Sequence, residues 1–390
     1  MGEGKIIDIN KGRKKLNYKK IISVLKFPVI ILAVIAALLI SARLVGKVAT
    51  SNITDSFRQI KTAFSKGEGF PYSIEGFEVE KVEAIGNRVM FLTQDNSFVL
   101  DKKAGELFRT QLDAENTKLI THNGRALLYS NNSSKVVLQS KTEELGTVDA
   151  GGMVVTATLA QNGWFATAHT DNQNRSVLTV YNNRFEKEFV WNCAEERIAA
   201  LALAPDGKNV AVSAIGVKNA EVYSRVLIFN TKETKPVYDS NVSGTLLLRM
   251  FYPSKKAIIA VGDNKTVVFD AAERKIKEQF EYAENGLLFA QTDEKGNVAV
   301  CISDSGGFES KIYVFKKDAS KLCTIEVTGK PEALDVGSNK VVYALNSELI
   351  VCNLKGEEKE RIKVSGNVEK VLICSGDFFT VEGKKICKYN

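Results

Sequence analysis

Three segments of this chain, SVLTVYN (176–182), SRVLIFN (224–230) and SKIYVFK (310–316), align without a gap. Each opens on Ser, runs through alternating apolar residues and reaches an aromatic. Successive side chains of a strand point to opposite faces. Leu178 and Val180, Val226 and Ile228, and Ile312 and Val314 thus share one face, with Tyr181, Phe229 and Phe315 on the other. Such a motif suits a structural role: the Ser satisfies backbone groups where loop meets strand, and the aromatic packs between sheets. From about residue 70, runs of Val, Ile, Leu and Phe alternate with Gly/Asn/Asp turns, with no helical stretch between them. Self-similarity near 40 residues is the period of a four-stranded propeller blade.

The best-defined repeat, residues 197–243, has strands at 198–204, 209–214, 225–230 and 235–239. Its first turn, Pro205-Asp206-Gly207, recurs as Gln161-Asn162-Gly163, Asn123-Gly124, Gly86-Asn87 and Lys295-Gly296-Asn297. Asn-Gly and Asp-Gly suit tight hairpins because both residue types tolerate positive φ. First strands are expected near residues 82, 119, 155, 198, 246, 287, 333 and 370. That spacing predicts an all-β propeller of eight blades, seven being the alternative, over residues 70–390. The last set, 371–374, 378–382 and 385–389, has only three strands. The segment 72–79 is placed to supply the fourth and remove the open edges of the ring.

The segments VLDKKAGELFRTQL (99–112), VVFDAAERKIKEQF (267–280) and VCNLKGEEKERIKV (351–364) resemble the strand–turn–strand signature of quinoprotein-like propellers. The turn Ala204-Pro205-Asp206-Gly207 is similar to those of WD40/TolB-type blades. The whole layout resembles single-pass, membrane-anchored propeller proteins of Gram-positive clostridia. This resemblance implies a blade type rather than an activity. Quinoprotein dehydrogenases carry a tryptophan docking motif in each blade, whereas this chain has only Trp164 and Trp191, so no cofactor is expected.

Ahead of the repeats lies FPVIILAVIAALLISA (27–42), sixteen residues without a charge. Sixteen helical residues span roughly 24 Å, short of the roughly 30 Å hydrocarbon core. Residues 21–45 extend the span, because Lys26 and Arg43 near its ends can snorkel to the headgroups. A transmembrane anchor over 21–45 is therefore expected, behind a basic tail at 1–20. Residues 1–26 hold eight Lys/Arg, and the twenty residues after Ala42 hold four. The positive-inside bias then leaves the N-terminus cytoplasmic and exports the propeller across the cell membrane. The flank SARLVGKVATSN lacks a clean A-x-A-like site, which favours an uncleaved anchor over a signal peptide.

The charge belongs to that anchor. Residues 1–47 carry ten Lys/Arg against two Asp/Glu, and the remainder carries 43 against 44. An exported domain so balanced gives no support to nucleic-acid binding. A region at 46–69 links anchor and propeller. Within it, residues 51–64 read as a short helix, with Ile53, Phe57, Ile60 and Phe64 in one apolar stripe. Ser51 or Thr54 is its expected cap, and residues 66–69 an expected hinge. The stripe suits a stalk continuing the anchor or packing under the domain; a dimerising seam is the sharper alternative.

Chemistry-bearing motifs are sparse. His122 and His169 sit in separate repeats, so no histidine-based catalytic pair or metal centre is expected. The six cysteines form no C-x-x-C pair, and five fall after residue 300, mostly inside apolar runs. Buried free thiols explain them; one late disulfide is the alternative. No nucleophile-elbow, P-loop or zincin motif occurs. Function is therefore sought in loops. Three repeats carry enlarged connections, at 169–175, 215–223 and 304–309. They are tolerated insertions or one binding rim, the latter made of His169, Asp171, Asn172, Asp304 and the aromatic anchors Tyr223 and Phe308. The expected function is a membrane-tethered, non-enzymatic module binding a protein or envelope component. The alternative is an exported lyase or hydrolase using the central channel.

Overall fold

The computed structural model describes residues 29–34, 36, 37, 40, 46–62, 67–73 and 78–390. The basic tail and most of the expected anchor lie outside the described residues. Residues 29–34, 36, 37 and 40 are helical, and Val29, Ile30, Leu32 and Ile40 are exposed. No helix among the described residues is long and apolar enough to cross a membrane.

Eight four-stranded antiparallel sheets follow one another. Blades 1 to 7 span residues 81–111, 118–149, 154–193, 197–243, 247–281, 286–328 and 333–363. Blade 8 combines three strands at 370–389 with the strand Tyr72–Ser73, which pairs antiparallel with Ile386 and Lys385. The expected closure of the ring is thus present, through two residues of the expected 72–79. Phe70 and Tyr72 seat this junction, packing 5.1 Å from Phe379 and 5.9 Å from Phe91 between ring centroids.

The core lies between blades. One cluster joins Ala166, Leu178 and Phe189 of blade 3 to Ile198, Val212 and Phe229 of blade 4. The repeated aromatics Tyr181, Phe229 and Phe315 are almost fully buried in such clusters. The first two of the repeated serines fasten a blade to the start of the next, and the third bonds the link that leads there. Ser176 Oγ accepts the Ile198 amide at 3.0 Å, and Ser224 Oγ accepts that of Leu247 at 2.8 Å. Ser310 Oγ donates to the Gly329 carbonyl at 2.7 Å. At Gly207 (φ 74°) a Cβ would lie 2.7 Å from the Trp164 indole of the preceding blade, so the turn requires glycine on both counts.

The helix α1 (Lys47–Thr62) begins earlier than expected, directly after Gly46. Ser51 and Thr54 are not its caps. They lie inside it and donate to the carbonyls of Val48 and Ser51. The helix packs under the domain, and its docking side is largely polar. Val48 enters the core between blades 2 and 3. Arg125 of blade 2 donates through Nε and Nη2 to the Val48 carbonyl, at 2.9 and 2.6 Å. Asp55, fully buried, accepts from Thr142 Oγ1 at 2.6 Å, Ser140 Oγ at 2.8 Å and the Lys141 amide at 3.2 Å. Arg58 pairs with Glu143 at 2.7 Å. Ile53 of the apolar stripe is half exposed; the side chains of Phe57 and Ile60, and Phe64, lie outside the described residues. The expected hinge is packed where it is described: the Gly69 amide donates to the Lys103 carbonyl at 3.0 Å, and a Cβ on Gly67 would overlap that carbonyl.

Candidate functional site

In a four-stranded meander the first and third turns emerge at one end. The second turns and the links between blades emerge at the other. Helix α1 contacts Asn123 in a first turn and residues 141–143 in a third turn, so it covers the first end, here the helix face. All three enlarged connections lie at the opposite end, the open face.

The structure reassigns several expected rim residues. Residues 215–223 are no loop. Ile215 pairs with Ser224, Gly216 with Tyr223, Val217 with Val222 and Lys218 with Glu221, extending the second and third strands of blade 4 into a projecting hairpin. Its tip, Asn219-Ala220, has positive φ at both residues, as a type I′ hairpin demands. Tyr223 is therefore a half-buried strand residue and not a free anchor. Its ring covers Gly216, and its hydroxyl donates to Glu196 at 3.2 Å. His169 is also no surface ligand. It ends the second strand of blade 3, buried, with Nδ1 unpartnered and basicity lowered by burial. Asp171 and Asp304 shape their own turns. Asp171 accepts the amides of Gln173 and Asn174, and Asp304 accepts those of Phe308 at 2.8 Å and Glu309 at 3.2 Å. Asn172 is exposed, and Phe308 is 74% exposed, its ring lying over Gly306. Phe308 and Asn172 remain as free rim groups.

Beside the hairpin lies an open groove of about 630 Å³, lined by Glu195, Glu196, Lys218, Tyr223, Arg225 and Asp239 among others. Its floor is an ion network. Arg225 makes a two-pronged bond to Asp239, at 2.8 and 2.7 Å, and reaches the buried Glu196 at 3.2 Å. These contacts hold the guanidinium charged and push its pKa further up, the Asp239 bond contributing most. Val217 lines this groove, and the side chains of Val217 and Val222 are both exposed near the hairpin tip. None of this network was legible from motif spacing, because Glu196, Arg225 and Asp239 come from three segments.

A second constellation lies on the innermost strands, around the channel. Burial pushes the Glu83 carboxyl up to about 7, against the pull of Lys81, Arg249 and Lys370. Burial likewise pushes Asp335 up to about 8, against the Ile373 amide that it accepts at 2.7 Å; Glu83 adds to the rise. Their signal in the sequence is an acidic residue inside an apolar first strand, KVEAI or ALDVG. His122 ends the innermost strand of blade 2 at the helix face, and burial lowers it to about 4. It does not meet His169, which lies at the open face. Among the described residues no group of His, Cys, Asp and Glu is arranged to hold a metal ion. All six cysteines are free thiols.

Charge is sorted by face. Among the described residues, the connections of the helix face hold fourteen Lys/Arg and ten Asp/Glu; those of the open face hold three and thirteen. Near neutrality of the domain as a whole hides this separation.

Eight radial sheets with a composite last blade define a β-propeller. The chain belongs to the DUF5711 family, a family of unknown function, whose model matches residues 72–389. Among solved structures it is similar to BamB from Moraxella catarrhalis, with a TM-score of 0.51 and 10% identity, over 82% of this chain and 98% of that one. At that identity the likeness speaks for the fold alone. No curated protein matches the sequence.

Proposed function

We propose that this protein is a membrane-tethered, extracytoplasmic propeller that binds a protein or cell-envelope component through its open face, without catalysis. The observation that carries the reading is the projecting hairpin. It sets the exposed pair Val217 and Val222, the first of them lining the groove, on the face that α1 leaves uncovered. Exposed apolar groups at the rim of a rigid scaffold are typical anchors of binding surfaces. The tether is supported by the apolar run at 27–42, by the basic asymmetry around it and by the resemblance to single-pass propeller proteins.

The test is site-specific photo-cross-linking in native membranes. Probes at Val217 and Phe308 should give one discrete adduct, and a probe at Lys256 on the helix face should not. A probe at Val222 should give the same adduct, and Val217→Asp with Phe308→Ala should abolish it while leaving the melting temperature nearly unchanged. Absence of any adduct from the open face would end this reading. Protease added outside intact cells should digest the propeller and spare the basic tail; a protected propeller would overturn the topology. A second reading, an exported lyase or hydrolase, is favoured by the Glu83 and Asp335 carboxyls, which titrate near neutrality at the channel. It predicts that Glu83→Gln or Asp335→Asn abolishes biological function while the hairpin variant retains it.

A further inference from the structure

The N-terminal chain joins the propeller at the helix face. Gly46, at the start of α1, sits against Asn183 and Arg184 in the third turn of blade 3. Gly46 follows the apolar helical residue Ile40 by six positions along the chain. Six residues fully extended reach about 21 Å. If residues 29–40 are in a bilayer, the helix face cannot retreat far from the headgroups. That face is also the one with surplus positive charge. Lys232, Lys255, Lys256, Arg274, Lys316 and Lys317 stand exposed on adjacent turns of blades 4 to 6. Acidic neighbours are present but partly engaged. Asp206 pairs with Lys255 at 2.8 Å, Glu273 with Lys275 at 3.9 Å, and Asp318 accepts the Ser320 hydroxyl.

We infer that the helix face of the propeller rests on an anionic phospholipid surface, through these lysine and arginine turns. The inference builds on the tethered reading and adds the lipid charge that orients the domain. Each basic residue near an anionic surface strengthens the contact about fivefold at low salt, over a range of about one Debye length. The open face, with its acidic surplus, is then repelled by the same surface and turned away from it.

The test uses the full chain in nanodiscs, either purely zwitterionic or containing phosphatidylglycerol. Amide exchange in the helix-face turns at 255–256, 271–274 and 316–320 should slow about tenfold on the anionic discs only. Turns at 170–175 and 304–308 should not change. The variant K255Q/K256Q/K316Q/K317Q should lose this protection, and so should the wild type in high salt. Circular dichroism of the variant checks that the fold is intact. Should the variant misfold, salt dependence of the wild type decides. Equal protection on both disc types, or protection confined to the open face, would overturn the inference. The tether is judged separately, by whether the chain enters zwitterionic discs at all. A chain that fails to enter, yet binds phosphatidylglycerol vesicles through the helix-face turns, would sink the tether and keep the lipid contact.

Discussion

Removing the Asp55 carboxylate should release α1 and leave the blades folded. Asp55 accepts three hydrogen bonds from residues 140–142 of blade 2, and no part of it is exposed. Hydrogen bonds to a buried charge contribute roughly 1.5–3 kcal/mol each, and an unsatisfied buried donor costs about 1–3 kcal/mol. In Asp55→Ala the hydroxyls of Ser140 and Thr142 can rotate toward other acceptors, but the Lys141 amide cannot. The Lys141 ammonium, 4.0 Å away, also loses its counter-charge. A net loss of about 4 kcal/mol is expected, within the roughly 3–5 kcal/mol typical of breaking a buried charged contact. At about 1.4 kcal/mol per factor of ten, the population of undocked helix rises about a thousandfold. Hydrogen exchange reads this directly. Amides of Lys47–Thr62 should exchange about a thousand times faster in the variant, while those of the eight sheets hold their rates. Asp55→Asn retains one acceptor and should fall between. Unchanged exchange in α1 would show that the Arg125 contacts suffice. Matching losses across all blades would show that helix and propeller unfold as one unit, and either outcome refutes the argument.

Tyr72→Ala should destabilise the whole ring by about 2–4 kcal/mol, the range for truncating a large side chain that is not fully buried. A melting temperature equal to the wild type would mean that Tyr72–Ser73 does not close the ring energetically. The Glu83 and Asp335 carboxyls have folded pKa values raised above their unfolded ones, so the native state holds protons that the unfolded chain releases. Their contribution to stability is therefore complete below about pH 4 and is lost as pH rises through about 7 to 8. Urea midpoints at pH 5 and pH 8 should differ less in the Glu83→Gln, Asp335→Asn double variant than in the wild type; an unchanged difference would assign the pH dependence to other groups.

Blade positions were legible because apolar strand runs and turn residues repeat at a nearly fixed period. First strands expected near 82, 119, 198 and 370 begin at Lys81, Lys118, Arg197 and Lys370. Ring closure was legible because a three-stranded last blade leaves an obvious vacancy. The hairpin at 215–223 was not, because its tip Asn219-Ala220 lacks glycine and its strands run past the core, where no burial pattern marks them. Asp55 was opaque for a different reason. One carboxylate on a short amphipathic helix looks solvated, and its partners lie 85 to 87 residues away. The sorting of charge between faces needs the turns assigned to ends of the sheets, which composition does not provide.

The order of α1 and the closing strand along the chain has a mechanical consequence. Tension applied to the chain before residue 46 meets the helix first. There the load divides among the Arg125, Asp55 and Arg58 contacts and passes sideways into blade 2. The strand Tyr72–Ser73, two residues long and the shortest in the ring, lies downstream of that clamp and carries none of it. A pull that would otherwise peel the seam open in zipper fashion is converted into shear across a docked helix. The seam stays slack until the clamp fails, so resistance of the whole domain to force from its N-terminus is set by two side chains of the helix, Asp55 and Arg58, and by Arg125, which reaches up from blade 2.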